Sequence, residues 1–237
     1  MARTLFAFDY DGTLAPIVSD PEKAVMNKST AALFVRLNEL TPVAVLTGRK
    51  VSDVERLLPI KPRYIIGNHG AEGTQTEADL QYMREQVQRW MKTVAEILPV
   101  MQKLGVTVED KEFSLSFHYR QASDLKVAEG AIEFFIQRLP QSRITRGKAV
   151  INVLPANSVD KGKALDHMMW KEKFSFGLYF GDDQTDEDVF RYTNNRLLTV
   201  KIGQEDSHAR FYLKSQSEME EVLFHLVNFV TAGAVPR

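Results

Sequence analysis

The chain has 237 residues, of which 44% are hydrophobic and 26% charged, with 30 Lys and Arg against 31 Asp and Glu. These values are ordinary for a folded globular protein and exclude collagen-like, coiled-coil and disordered chains. Because a net charge of −1 gives no electrostatic attraction to nucleic acid or to an anionic membrane, we expect a small-molecule partner. We also expect a monomer.

The chain contains no cysteine, which excludes disulfides, zinc–thiolate sites, iron–sulfur clusters and thiol nucleophiles. Any bound metal must therefore use oxygen or imidazole ligands. The first residues lack the apolar stretch of a secretory signal, so a cytoplasmic location is expected. The longest segment without Asp, Glu, Lys or Arg, residues 222–236, is shorter than the roughly 20 residues that span a bilayer and is predicted to form a core helix.

Four short apolar runs each end at a polar cluster, and helical patterns lie between them. In chain order, the predicted strands are residues 5–8, 43–46, 64–66 and 177–180, and the predicted helices are residues 29–40, 160–171 and 217–230. Continuous apolar strands that alternate with helices indicate an α/β fold with a buried parallel sheet. Since ligands gather at the carboxyl ends of such strands, we expect the four polar clusters to converge.

The segment between the third and fourth of these strands has a different pattern. It predicts a helix, two strands, a second helix and two more strands, at residues 79–104, 106–109, 113–119, 123–139, 144–145 and 149–154. This order indicates an antiparallel α+β insertion with a core of its own. The predicted organisation is therefore a core domain formed by residues 1–74 and 155–237 and an inserted domain formed by residues 75–154.

The first polar cluster, Asp9-Tyr10-Asp11-Gly12-Thr13, follows the first predicted strand. It places one carboxylate at the strand tip and a second just beyond it, before a glycine that permits a sharp turn. One carboxylate can act as a nucleophile while the other transfers protons. Short motifs of this kind also occur as plain turns, so the interpretation depends on the other clusters.

Two further clusters offer groups that bind anions. Thr47-Gly48-Arg49 follows the second predicted strand and provides a hydroxyl and backbone N–H groups that suit phosphate oxygens, although a simple strand-to-helix cap has the same composition. Lys161 begins a predicted helix, where its ammonium and the helix N-terminus both favour an anion. Taken alone, a lysine at this position is more typical of an exposed surface residue than of an anion-binding site.

Residues 182–188 carry five carboxylates, which repel one another unless a cation or a helix N-terminus compensates them. Thr185 is predicted as a helix N-cap, which accounts for the acidic residues 186–188 in the first turn. Asp182 and Asp183 lie before this cap, at the strand tip. We interpret them as ligands of a hard cation, and few protein carboxylates beside a substrate phosphate suit Mg²⁺ better than Ca²⁺.

Taken together, the four clusters resemble the four motifs of the haloacid dehalogenase superfamily of phosphohydrolases. They are DYDGT at residues 9–13, TGR at 47–49, Lys161, and GDDQTDED at 181–188. The resemblance implies a Rossmann-like core, with the insertion as an α+β cap domain between the second and third motifs. Further segments are similar to the trehalose-6-phosphate phosphatases, namely GNHGAE at 67–72, EDKEFSLSFHYR at 109–120, RGKAV at 146–150 and DKGKAL at 160–165.

The resemblance implies catalytic and phosphate-binding roles for residues of the core motifs. Asp9 corresponds to the nucleophile that forms an aspartyl-phosphate, and Asp11 to the general acid and base. Thr47, Gly48 and Lys161 correspond to the groups that bind the phosphate.

The resemblance also implies a Mg²⁺ site. Its ligands correspond to Asp9, the carbonyl of Asp11 and Asp182, and Asp183 corresponds to a residue that orients Lys161 or the groups around the metal. Mg²⁺ and Lys161 together would compensate two carboxylates and a phosphate dianion, which allows one anion to attack another.

The resemblance implies that polar residues of the insertion form or support the sugar-recognition surface, namely Glu109, Lys111, His118, Arg120, Lys148 and Asn152. Arg49 and His69 lie in the core motifs and are candidates either for binding the substrate or for supporting the loops. Asn152 departs from the family pattern, in which Glu stands four residues after the Lys of the GK motif, here Lys148. This departure bears on recognition of the second glucose.

The predicted function is hydrolysis of trehalose 6-phosphate to trehalose and phosphate. The alternatives are a phosphatase for a sucrose- or mannosylglycerate-type phosphate, a phosphomannomutase, and a non-catalytic sugar-phosphate sensor. The motif residues Asp9, Asp11, Lys161 and Asp182 are all present and disfavour the sensor, because a binding module has no use for a general acid.

Overall fold

The computed structural model describes residues 3–18, 20–192 and 195–233. The chain divides into two compact units. The core unit comprises Met1–Thr74 and Asp160–Arg237, and the inserted unit comprises Gln75–Val159. Strands and helices are numbered below along the chain.

The core unit contains a six-stranded sheet in which all neighbouring strands run parallel. Its strands are β1 Thr4–Asp9, β2 Val43–Leu46, β3 Tyr64–Ile66, β8 Phe176–Gly181, β9 Leu197–Ile202 and β10 Phe211–Leu213. The order across the sheet is β10-β9-β8-β1-β2-β3. The two central strands, β1 and β8, are held together by side chains as well as backbone, since Phe8 stacks on Phe180 with ring centroids 5.1 Å apart.

Among its described residues, the core unit also has five α-helices. They are α1 Lys28–Leu40, α2 Val51–Leu57, α5 Lys161–Lys171, α6 Glu187–Phe190 and α7 Met219–Thr231. Side-chain caps set where two of them begin: Asn27 accepts a hydrogen bond from Thr30 N at 2.8 Å before α1, and Asp160 accepts one from Lys163 N at 2.8 Å before α5. The cap at Asp160 fixes Lys161 as the first residue of α5.

The inserted unit has its own sheet and its own apolar core. Its elements are α3 Glu77–Lys103, β4 Thr107–Asp110, β5 Leu115–His118, α4 Leu125–Ile136, β6 Ser142–Gly147 and β7 Val150–Pro155. The strands pair antiparallel in the order β4-β5-β7-β6. Trp90 of α3, Phe117 of β5 and Ile132 of α4 belong to the buried cluster between the sheet and the helices.

The predicted α/β class, with a parallel sheet and an inserted α+β segment, is confirmed, but the boundary predicted after residue 154 lies elsewhere. Residues 155–159 group with the inserted unit rather than the core. The reason is a set of hydrogen bonds to β6 and the turn before it. Ala156 N donates to Gln141 O at 2.8 Å, and Arg143 donates to Ser158 Oγ at 2.9 Å and Val159 O at 3.1 Å.

Several element predictions were incomplete. The sequence pattern did not predict α2, β9 or β10, of which β10 is a three-residue edge strand with two exposed aromatic side chains. Helix α3 begins two residues earlier than predicted, because a capping box between Thr76 and Asp79 sets its start. The apolar segment 222–236 forms a helix only to Thr231, and residues 234–237 lie outside the described part of the chain. Among the described helices, none has the length and apolar character needed to cross a membrane.

Trp90 provides a test of the inserted core. It is 1% exposed and its Nε1 donates to Pro140 O at 3.0 Å, so Trp90→Ala removes both apolar contacts and a hydrogen bond. We expect the free energy of unfolding to fall by about 3–5 kcal/mol in urea denaturation followed by circular dichroism.

Trp170 is the matched control, because it is 70% exposed on α5. Trp170→Ala should change the free energy of unfolding by less than about 0.5 kcal/mol. Equal losses for the two variants would contradict the burial assigned to Trp90.

Candidate active site

The site lies at the carboxyl ends of adjacent parallel strands. Asp9 is the last residue of β1, Thr47 directly follows β2, and Asp182 directly follows β8. In the sheet β1 lies between β2 and β8, and Asp9 is in register with Leu46. The polar residues that follow these three strands therefore lie side by side at one edge of the sheet.

Lys161 is at the centre of this edge, although sequence alone could not distinguish it from a surface lysine. It is 1% exposed. Its Nζ donates to Asp9 Oδ1 at 3.0 Å and to Asp186 Oδ1 at 2.8 Å. Burying an ammonium is costly unless it is paired, and here two buried carboxylates provide the pairing.

Asp186 accepts four hydrogen bonds and is completely buried. Oδ1 accepts from Lys161 Nζ and, at 2.6 Å, from Tyr179 OH; Oδ2 accepts from the backbone N–H groups of Asp182 and Asp183, each at 2.9 Å. This carboxylate thus joins α5, β8 and the loop after β8. The sequence did not indicate this role of Asp186, because its place in a predicted first helical turn already accounted for its charge.

The loop after β8 also corrects the predicted helix cap. The N-cap of the first helical turn is Asp183, not Thr185, and a capping box joins Asp183 to Asp186. The D-x-x-D spacing of these two residues was the available signal, because a side chain three residues after an N-cap can reach back to the N-cap backbone.

The charges of this cluster alter one another's ionisation. Burial raises the pKa of Asp9 and Lys161 lowers it, but Asp186 and Asp182 raise it again, and the net pKa lies well above its usual value. Burial lowers the pKa of Lys161, but the charges of Asp186 and Asp9 outweigh this and raise it, so the ammonium keeps its proton. The cluster therefore contains more negative charge than Lys161 alone can compensate.

The residues present fit a small, hard cation. Carboxylate oxygens of Asp9, Asp182 and Asp186 lie within 4.8 Å of one another, and all three residues are buried. Because the Asp186 oxygens already accept four hydrogen bonds, Asp9 and Asp182 are the better candidate ligands. Gly12, with φ of +85°, passes so close to Asp182 that a Cβ at this position would overlap its carboxylate.

Asp11 is engaged by Arg49 in a bidentate ion pair. Arg49 Nε donates to Oδ2 and a terminal guanidinium nitrogen donates to Oδ1, both at 2.7 Å. Arg49 also donates to Pro21 O at 3.0 Å. The structure thus joins the first and second motifs through a contact that the sequence did not indicate.

The loops after β2 and β3 support one another. Arg49 N donates to Thr47 Oγ1 at 3.1 Å, and His69 N donates to Thr47 O at 3.0 Å. The ring of His69 occupies the space that a Cβ at Gly48 would fill. Glu72 links the two loops, because its carboxylate accepts hydrogen bonds from Val51 N at 2.9 Å and from Asn68 Nδ2 at 3.0 Å. The sequence did not indicate this role.

The predicted sugar-binding residues of the inserted unit fall into groups within that unit. Glu109 Oε2 lies 2.8 Å from His118 Nε2 and 3.8 Å from Lys111 Nζ. Arg120 donates to Lys148 O at 3.2 Å. The β4–β5 hairpin therefore brings Glu109 beside Lys111 and His118, whereas Arg120 contacts the backbone of the turn between β6 and β7.

Asn152 of β7 lies on the polar face of the inserted sheet. Its neighbours along the strand, Ile151 and Val153, belong to the apolar core, so the alternation of a strand places Asn152 on the opposite face. Ser116 of β5 lies directly across from it and donates to Asn152 Oδ1 at 2.6 Å. Both side chains are buried, and one polar end of Asn152 is already used.

Comparisons with known proteins agree with these observations. The profile of the trehalose-phosphatase family matches residues 7–217. The chain is 30% identical over 250 residues to probable trehalose-phosphate phosphatase H of Arabidopsis thaliana, an alignment that covers 93% of this chain and 71% of the relative. The family match therefore includes the core motifs and the whole inserted unit.

Two solved structures share the fold. One is of a trehalose-6-phosphate phosphatase related protein, with a TM-score of 0.79 and 23% identity, covering 97% of this chain and 99% of the other. The second is the C-terminal domain of the Candida albicans trehalose-6-phosphate phosphatase, with a TM-score of 0.79 and 24% identity, covering 96% and 93%. On the family match, the chain belongs to the trehalose-phosphatase family of phosphoric monoester hydrolases.

Proposed function

We propose that the protein is a Mg²⁺-dependent phosphatase that hydrolyses trehalose 6-phosphate to trehalose and phosphate through an aspartyl-phosphate on Asp9. The observation that carries this proposal is the buried cluster at the sheet edge, in which Lys161 lies 3.0 Å from Asp9 and 2.8 Å from Asp186 with Asp182 beside them. The names of the plant and fungal relatives support the substrate. The cytoplasmic location and the monomeric state stay predictions.

Asp9 is the proposed nucleophile. It is buried at the tip of β1, where few waters compete for the substrate, and Lys161 compensates its charge. Attack of an Asp9 oxygen on phosphorus forms the acyl-phosphate bond and breaks the bond to the sugar oxygen. The same ammonium is placed to stabilise the charge on the transferred phosphoryl group.

Asp11 is the proposed general acid and base, and Arg49 controls its availability. Both oxygens of Asp11 accept hydrogen bonds from Arg49, so at least one must be released before Asp11 can protonate the leaving sugar oxygen. The phosphoryl oxygens of the substrate are competing acceptors for the guanidinium. After the sugar leaves, Asp11 removes a proton from the water that hydrolyses the acyl-phosphate.

Asp9, Asp182 and the main-chain carbonyl of Asp11 would hold Mg²⁺. When bound, Mg²⁺ supplies the Lewis-acid charge that lets an anionic carboxylate approach a phosphate dianion. The geometry supports this assignment, because three buried carboxylates surround the single ammonium of Lys161, an excess of negative charge that a divalent cation would relieve. Asp186 takes no part as a ligand and orients Lys161 instead.

The inserted unit is the proposed source of sugar specificity. Glu109, Lys111 and His118 form one polar group that can bind hydroxyls, and Asn152 lies on the same sheet. Since Asn152 Oδ1 is held by Ser116, Asn152 offers its amide N–H₂ rather than a charged acceptor. A site of this composition could favour a different glycosyl phosphate, and the substrate test below distinguishes that alternative.

The substrate is tested by phosphate release from a panel of sugar phosphates with Mg²⁺. We expect kcat/KM for trehalose 6-phosphate to exceed that for sucrose 6-phosphate, a mannosylglycerate-type phosphate, mannose 1-phosphate and glucose 6-phosphate, because only the cognate disaccharide satisfies the polar groups of the inserted unit. Preference for another glycosyl phosphate would overturn the substrate but keep the phosphatase. A requirement for a bisphosphate activator would favour a mutase.

Metal dependence is tested by chelation. Exhaustive treatment with EDTA should reduce turnover of trehalose 6-phosphate to background, because Asp9 and the phosphate dianion cannot approach without a compensating cation, and added Mg²⁺ should restore it. Full phosphate release from the chelated protein would refute the proposed metal site.

A further inference from the structure

Besides Lys161, the core unit has a buried lysine, Lys201, that takes no part in the proposed reaction. Lys201 belongs to β9, where it is in register with Gly181 of β8 and only 5% exposed. Its Nζ donates to the main-chain carbonyl of Asp182 at 2.5 Å. The ammonium of Lys201 on β9 therefore holds the carbonyl of Asp182, the residue that directly follows β8.

The carboxylate of Glu187 interacts electrostatically with the ammonium of Lys201. Burial raises the pKa of the Glu187 carboxyl, whereas hydrogen bonds from Ser207 and His208 and the charge of Lys201 lower it, and the net pKa lies below its usual value. Glu187 is itself fixed, because Oε2 accepts from His208 N at 3.1 Å and lies 3.0 Å from His208 Nδ1. The Lys201 ammonium donates its hydrogen bond to the carbonyl of Asp182, and Glu187 contributes a longer-range charge interaction.

The backbone of Asp182 is held on both sides by charged groups. Its N–H donates to Asp186 Oδ2 at 2.9 Å, and its carbonyl accepts from Lys201. Thr13 Oγ1 donates to its Oδ1 at 3.3 Å. Hydrogen bonds to charged partners are about twice as strong as neutral ones, so both peptide groups that flank Asp182 are fixed.

We propose that Lys201 is a positioning residue that fixes the Asp182 backbone and thereby aims the Asp182 carboxylate at the Mg²⁺ site. This inference rests on the proposed function, since it assumes that Asp182 is a metal ligand. Lys201 acts through Asp182 and does not touch the substrate.

The test compares Mg²⁺ binding to Lys201→Met and to the wild-type full chain by isothermal titration calorimetry. Met keeps the length of the side chain but removes the donor and the charge. Because groups that orient metal ligands contribute strongly to affinity, we expect the Kd for Mg²⁺ to rise by about 10- to 100-fold in Lys201→Met.

Two control variants accompany this test. Lys201→Arg, which keeps a charged donor, should recover most of this loss. Lys171→Met, at an exposed lysine of α5, should leave the Kd unchanged.

A double variant separates positioning from charge balance. Lys201→Met combined with Glu187→Gln removes the carboxylate charge together with the ammonium charge, so it should fold even if Lys201→Met does not, as circular dichroism would show. The proposal predicts that this double variant also binds Mg²⁺ weakly. Wild-type affinity in the double variant, or a Kd within about twofold of wild type for Lys201→Met, would overturn the role of Lys201. A wild-type chain that binds no Mg²⁺ would instead refute the proposed metal site, and this role with it.

Discussion

The site depends on the burial of one carboxylate, that of Asp186. A buried carboxylate is stable only when its oxygens are satisfied, and Asp186 meets this requirement with four donors: Lys161 Nζ, Tyr179 OH and the N–H groups of Asp182 and Asp183. These donors come from α5, from β8 and from the loop after β8. Burial and the charge of Asp186 raise the pKa of Tyr179 well above its usual value, so the phenol keeps its proton and donates. Satisfying Asp186 therefore fixes the relative positions of these elements.

Lys161 and Asp182 are placed by their contacts with Asp186, and Asp9 is placed beside them through Lys161. Lys161 reaches Asp9 because α5 begins beside Asp186, and the α5 start is set by the Asp160 cap. Asp182 is oriented because Asp186 and Lys201 hold its two flanking peptides. A deletion of any single buried charge would leave another unpaired, and such losses cost about 3–5 kcal/mol. The same contacts therefore contribute to stability and to the geometry of the site.

The sequence predicts the residues at the sheet edge better than the hydrogen bonds of Asp186 and Lys201 that hold them in place. Short apolar runs that end at Asp9, Thr47 and Asp182 are local signals, because parallel strands expose their carboxyl ends at one edge. Lys161 and Asp186 are 25 residues apart in the chain, and no periodicity connects them. Strand β9 was not predicted because Lys201 interrupts its apolar run, and the partner of the buried Lys201, the Asp182 carbonyl, lies at the end of another strand. The resemblance supplied the motif roles, whereas the Arg49 contact with Asp11 required coordinates.

The central claim is that the Asp186-centred network presents Asp9 as a nucleophile that becomes phosphorylated. The most direct measurement is to quench the enzyme in acid during turnover of trehalose 6-phosphate, reduce the acyl-phosphate with borohydride and locate the modified residue by peptide mass spectrometry. The account predicts conversion of Asp9 to homoserine in the wild-type chain and no modification in Asp9→Asn. Modification of another carboxylate, or turnover by Asp9→Asn at the wild-type rate, would contradict it.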